Sequence, residues 1–374
     1  MYLSTTGASD IAGDTPAPKG PLRAVPGTVF VLGLVSLVTD VSAEMVTAVL
    51  PLYLMAGLGM SPLAFGALDG LHQGATAVLR LAGGRIADRT RRHKLVAGTG
   101  YALSAVCKAA LLLATTPWSV AAVLAADRTG KGLRTAPRDA LISLSVPPGE
   151  QGRAFGVHRA LDTAGALLGP LAAFGILWVA VDGYEAVFTV SCCVAVLGVV
   201  LLALFVREAP APPPAPPLAS APTRARPPLP PVRTLLRLPG LRRLCLTAAL
   251  LGLFTVGDAF LYLLLQRRLD LSAAFFPLLP VGTAAVFLLA ALPVGRLADR
   301  VGRSRVFLGG HVLLLGACLL LLAPVPAAGG ALLVVGVLAM LGLFYAATDG
   351  VLSAAAGPRL PAGRLPTELA VRHT

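Results

Sequence analysis

Four charged residues recur at helical spacing inside one otherwise apolar stretch: Asp127, Lys131, Arg134 and Arg138, at i, i+4, i+7 and i+11. At about 100° per residue they fall within about 40–60° of arc, a single polar stripe that must face protein rather than lipid. A second stretch carries Asp40 and Glu44 one turn apart near its middle. A third carries Asp69, His72 and Gln73 towards one end and Arg80 towards the other, and Lys108 lies on a fourth. His158, Arg159 and Asp162 follow, with Asp258 and Asp349 in the quieter second part of the chain. The chemistry open to such groups is proton exchange and charge pairing. A carboxylate in low dielectric can take up or release a proton near neutral pH. Asp40 and Glu44 therefore read as a proton relay or cation site, with Lys131 and Arg134 modulating it or holding an anionic group. Asp69, His72, Arg138 and Asp258 join them as candidates for coupling or for a substrate cavity. The plainer alternative is that these charges pair between helices one, two, four and five and hold them together.

Other chemistry is missing from the sequence. The five His are scattered, no nucleophile and base can be paired, and no phosphate-cradling loop of P-loop type occurs. Cys107, Cys192, Cys193, Cys245 and Cys318 all lie in apolar runs and show no metal-ligand spacing. The expectation is no catalytic residue, no metal, no cofactor and no ATP-driven pumping, with a proton gradient as the energy source.

The elements that position these residues are helices in lipid. Of 374 residues, 56% are hydrophobic and 13% charged, against about 45–50% and about 25% in soluble domains. The mean hydropathy is +0.79. This balance excludes an ordinary cytosolic enzyme, a disordered protein and a secreted disulfide scaffold. A helix needs roughly 20 apolar residues to cross the hydrocarbon core. About ten runs meet that length: 28–55, 64–87, 95–115, 118–144, 154–180, 185–206, 244–266, 272–297, 305–325 and 331–355. The first two dozen residues carry both signs of charge, unlike a signal peptide, and the first run is too long for a signal-peptide core.

A net charge of +13 suggests nucleic acid in a soluble chain, but here the cations cluster in short connections. Arg89, Arg91, Arg92 and Lys94 follow the second run, Arg153 the fourth, and Arg300, Arg303 and Arg305 the eighth. Six arginines between Arg224 and Arg243 follow the sixth. The opposite loops lack cations, apart from Arg267 and Arg268 after the seventh run. The positive-inside rule then places both termini in the cytoplasm and excludes nucleic acid as a partner. A proline-rich stretch, with Pro212, Pro213, Pro214, Pro216 and Pro217 in one cluster, reads as an extended linker. The expected organisation is a tail at 1–27, a six-helix bundle at 28–206, a linker at 207–243, a four-helix bundle at 244–355 and a tail at 356–374.

The two bundles echo each other. Gly84-Arg85-Ile86-Ala87-Asp88-Arg89-Thr90-Arg91-Arg92 ends the second run, and Gly295-Arg296-Leu297-Ala298-Asp299-Arg300-Val301-Gly302-Arg303 ends the eighth. Duplicated halves are the simplest source of such an echo. A weaker one pairs Asp40 with Asp258, in frames running from Gly33 and from Gly252. The Gly-x-x-x-Asp-Arg loops resemble the signature loop of the major facilitator superfamily (MFS), and Thr39 to Met45 with Asp127 to Asp139 resemble a prokaryotic branch of efflux permeases. The first loop departs from the pattern in placing Thr90 where glycine is usual. The resemblance implies that Gly84 lets helices pack closely, and it places Gly295 in the second gating loop. It also implies that Asp88 with Arg89 and Arg92, and Asp299 with Arg300 and Arg303, latch the inward gate. Gly165, Gly169 and Pro170 match part of an antiporter motif on the fifth helix, although Ala173 and Phe174 replace its later glycine pair. As physics, that spacing means close helix packing. The family fold has twelve helices. By this resemblance Leu360 to Thr374 is the loop into an eleventh, and the chain stops two helices short.

The expected fold is all-α: a polytopic bundle of two pseudo-repeated halves, monomeric, in the cytoplasmic membrane. The expected function is alternating-access transport of a small molecule, as proton-coupled efflux of a drug or metabolite. Uptake or exchange of an organic anion is the alternative within transport, resting on the Arg and Lys of helices three to five. A non-transporting membrane receptor or a degenerate truncated transporter is the alternative of another class.

Overall fold

The computed structural model describes residues 26–70, 93–147, 150–180, 182–206, 246, 250–252, 255–324 and 329–349. Among them there is no strand. The first half comprises α1 (Gly27–Leu52), the start of α2 (62–70), α3 (His93–Leu111), α4 (Pro117–Leu144), α5 (Gln151–Val179) and α6 (Tyr184–Phe205). The second comprises α7 (Asp258–Leu269), α8 (Leu278–Val301), α9 (Arg303–Leu322) and α10 (Gly330–Thr348). The proposed linker and both tails lie outside the described residues, apart from the last residues of the first tail.

Six of the described helical segments are long and apolar enough to cross a membrane, namely α1 with the turn after it, α5, α6, α8 with the turn before it, α9 and α10. Helix α4 has the length but carries the polar stripe, so its place in the bundle depends on partners for those charges. Its start is set locally: Pro117 occupies the first helical position, and Thr116 and Ser119 form a reciprocal capping box. Large apolar side chains point outwards from the bundle, among them Leu289, Val312 and Leu332, as lipid-facing residues must.

Glycines set how closely the helices approach. A Cβ on Gly165 of α5 would lie 2.4 Å from the Leu37 carbonyl oxygen of α1, and one on Gly169 would lie 2.8 Å from that of Val41. Gly100 and Gly130 do the same for α3 and α4, each leaving room for the other's carbonyl oxygen. Ser42 and Ser191 tie α1 to α6 by reciprocal bonds, each hydroxyl donating to the other's carbonyl oxygen at 2.7 and 2.8 Å. In hydrocarbon such bonds have no competition from water.

Two expectations change here. The seventh run is not one continuous helix: Thr255–Gly257 is non-helical, and α7 begins afresh at Asp258 behind an extended Gly257. Arg268, the exception to the charge rule, has a local task. Its guanidinium donates to the carbonyl oxygens of Leu321 and Ala323, closing the C-terminal end of α9. That explains a cation in this position without any topological signal.

The α8–α9 turn depends on Gly302, whose φ of +105° lies where L side chains are strained. Gly302→Ala is expected to destabilise the fold by about 1–3 kcal/mol. It should lower the thermal unfolding midpoint in lipid nanodiscs, while Gly309→Ala, with open space around its Cβ, should not.

Candidate functional site

The stripe on α4 faces α1, α3 and α5. Arg134, 4% exposed, lies 3.3 Å from Asp40, and its guanidinium stacks over Tyr101 at 4.5 Å. Lys131 stands between the two carboxylates of α1, 4.0 Å from Asp40 and 3.6 Å from Glu44. Arg138 reaches Asp162 of α5 at 3.5 Å and its own neighbour Asp139 at 3.0 Å, and donates to Ser36 of α1 at 3.1 Å. Asp127 pairs with Lys108 of α3 at 3.1 Å, both buried. Each buried charge thus has a counter-charge, the condition for holding it out of water. Pairing across the first half is therefore real. Lys108 adds α3 to this pairing, while His72 and Arg80 of helix two lie outside the described residues. A cavity of about 10 Å³, room for one water, lies among Tyr101, Ser104, Lys108, Asp127 and Arg134.

Asp69 and Asp258 stand apart from this network. With Glu44 and Arg128 they line a cavity of about 180 Å³ between the halves, walled by Phe65, Tyr262 and Phe276. Asp258 is held from two sides: one carboxylate oxygen accepts from the Ala259 N–H at 2.9 Å, the other from the Tyr345 hydroxyl at 3.2 Å. Tyr262 donates to Thr283 at 2.8 Å. A second space of about 270 Å³ shares Asp258 and Tyr262 and extends to Tyr345 and Asp349. The repeat-related aspartates are therefore not equivalent. Asp40 is mid-helix and ion-paired, whereas Asp258 opens a helix and faces the cavity. The sequence missed Tyr262, Tyr345 and Arg128. A tyrosine on an apolar face reads as core, and only the fold aims these hydroxyls at an acid or a cavity.

The halves meet at one end only, among the described residues. Phe65 of α2 packs edge-on against Phe260 of α7 at 5.2 Å, and Phe174 and Trp178 of α5 meet Phe275 ahead of α8 at 5.8 and 5.6 Å. One apolar cluster joins Leu52, Leu54 and Phe65 to Leu261, Tyr262 and Phe276 at this end. At the opposite end the apolar cluster, from Val29 and Leu32 to Ile142 and Leu202, holds first-half residues alone.

His72, Gly84, Asp88, Arg89 and Arg92 lie outside the described residues. In the second signature loop Asp299 pairs with Arg303 one turn on, at 3.4 Å. Arg300 is exposed, and a Cβ on Gly295 would meet nothing within 4 Å. The glycine of this loop that its backbone requires is Gly302.

The family model described as the Major Facilitator Superfamily matches residues 32–370. The chain belongs to this superfamily. A relative from Methanocaldococcus jannaschii, described as an uncharacterised MFS-type transporter, is 34% identical over 191 residues, covering 51% of this chain and 47% of its own. The multidrug resistance protein MdtH of Photorhabdus laumondii is 36% identical over 114 residues, 30% of this chain and 28% of its own. The chain spans less than half the length of these curated relatives. A bacterial homologue of the human lysosomal transporter Spinster, crystallised inward-facing and occupied, superimposes with a TM-score of 0.68 at 17% identity, covering 92% of this chain and 77% of that one. At that identity the likeness is one of fold. As an MFS member the chain is an all-α membrane bundle of a family that moves small molecules rather than transforming them.

Proposed function

We propose that this MFS chain exports a drug or metabolite across the cytoplasmic membrane in exchange for protons, by alternating access and as a monomer. The observation that carries this reading is Lys131, shared between the buried Asp40 and the cavity-lining Glu44. A proton on Glu44 removes one of the two charges holding Lys131, which then turns to Asp40. The field at the cavity changes with it. Coupling needs only that proton and substrate bind the two conformations unequally. No cofactor enters; the proton gradient supplies the energy. With both termini in the cytoplasm, as the loop charges indicate, the end at which the described residues of the two halves meet is the outer one. The MdtH relative's printed role and the Gly165–Gly169–Pro170 segment support export. The anion alternative loses ground, because Lys108, Arg134 and Arg138 are engaged by carboxylates inside the first half.

The test is proton flux into proteoliposomes as organic cations and anions are added. Glu44→Gln is expected to abolish substrate-evoked flux, and Asp40→Asn to reduce it at least tenfold by releasing Arg134. Flux undiminished in both variants would remove the relay from this site.

A further inference from the structure

The chain is strongly basic, yet the cavity between its halves is acidic. Among the described residues its charged lining is Glu44 from α1, Asp69 from α2, Asp258 from α7 and Arg128 from α4, three carboxylates to one guanidinium. Arg128 donates to Thr47 of α1 at 3.4 Å. Lys131 touches Glu44 but is not part of the lining. The acidic groups come from both halves and converge. A Cβ on Gly257 would lie 3.5 Å from a carboxylate oxygen of Asp69, so Asp69 abuts the residue just before Asp258. Neither group holding Asp258, a backbone N–H and a tyrosine hydroxyl, is a formal cation. The adjoining space adds Asp349 and has no Lys, Arg or His in its described lining. The remaining walls are aromatic and apolar, Phe65, Tyr262 and Phe276 among them, and aromatic faces attract cations. The non-helical backbone at Thr255–Gly257 adjoins the same space, which is where a membrane protein tolerates a broken helix.

We propose that this cavity takes a small organic cation with an apolar body, its charge set between Asp69 and Asp258 and its hydrocarbon against Tyr262 and Phe276. This rests on the transporter reading and names its substrate class. An anion entering the same space meets three carboxylates in a low-dielectric enclosure. Pairing with carboxylates inside the first half keeps Lys108, Arg134 and Arg138 off this lining.

The probes are benzyltrimethylammonium and benzylsulfonate, similar in size and opposite in fixed charge. Their binding is measured on the full chain in lipid nanodiscs at pH 7. The cation is expected to bind at least tenfold more tightly than the anion. Asp258→Asn and Asp69→Asn should each weaken the cation at least tenfold, and Asp258→Glu should restore most of the loss. Two separate sites keep the test intact if one variant fails to fold. Equal or tighter binding of benzylsulfonate, no binding of the cation, or cation binding untouched by both variants would overturn the proposal. Proton flux in proteoliposomes separates this inference from the coupling it rests on. Flux evoked by the anion alone keeps coupled transport and removes cation selection. Charge-dependent cation binding without flux does the reverse.

Discussion

Asp127→Leu alone is expected to lose most of the folded protein, and Asp127→Leu with Lys108→Met to recover it. The ion pair at 3.1 Å is almost wholly enclosed, its side chains 5% and 10% exposed. Removing one partner leaves a bare charge in the bundle interior, which costs about 3–5 kcal/mol. Replacing both with apolar side chains of similar volume leaves no charge to desolvate, and such exchanges are commonly neutral or stabilising. Neither residue lines the cavity between the halves, so the double variant should also transport. The measurement is folded yield and thermal unfolding of the two singles and the double. A double variant no more stable than Asp127→Leu would mean that the pair does more than neutralise itself. The small cavity beside it, with Ser104 and Tyr101 in its lining, would then be the place to look.

Gly165→Ala is expected to be the most damaging glycine-to-alanine change among the described glycines. The added carbon would sit 2.4 Å from the Leu37 carbonyl oxygen and 2.9 Å from its Cα. These are backbone atoms of a helix and cannot swing aside, so α5 must move off α1. Overpacking of this kind costs about 1–3 kcal/mol, and the displaced face of α1 is the one that carries Asp40 and Glu44. Transport should fall along with the unfolding midpoint. Gly175→Ala on the same helix meets nothing within 4 Å and should gain about 0.5–1 kcal/mol from the lower entropy of alanine in a helix. If the two variants behave alike, the α1–α5 crossing is looser than the geometry indicates.

The sequence by itself determined that this is a helical membrane protein of two related halves. Apolar run length is a property of the chain alone, because lipid demands it of each helix separately. The stripe on α4 was legible for the same reason: helical periodicity fixes which side chains share a face. So was the close packing at Gly165 and Gly169, although their partner helix was not. What the tertiary structure decided is which charges meet. The cations of helices three to five suggested an anion path while their partners were unknown. Lys108, Arg134 and Arg138 are neutralised inside the first half, by Asp127, by Asp40 and by Asp162 with Asp139. Among the described residues the cavity has instead Glu44, Asp69 and Asp258 beside Arg128, carboxylates more than 200 positions apart at the extremes. The two aspartates that the repeat pairs part company because one stands mid-helix among cations and the other opens a helix beside Tyr345. Periodicity carries information only along one helix. Electrostatic environment is a sum over neighbours from several, and the packing of the halves selects them.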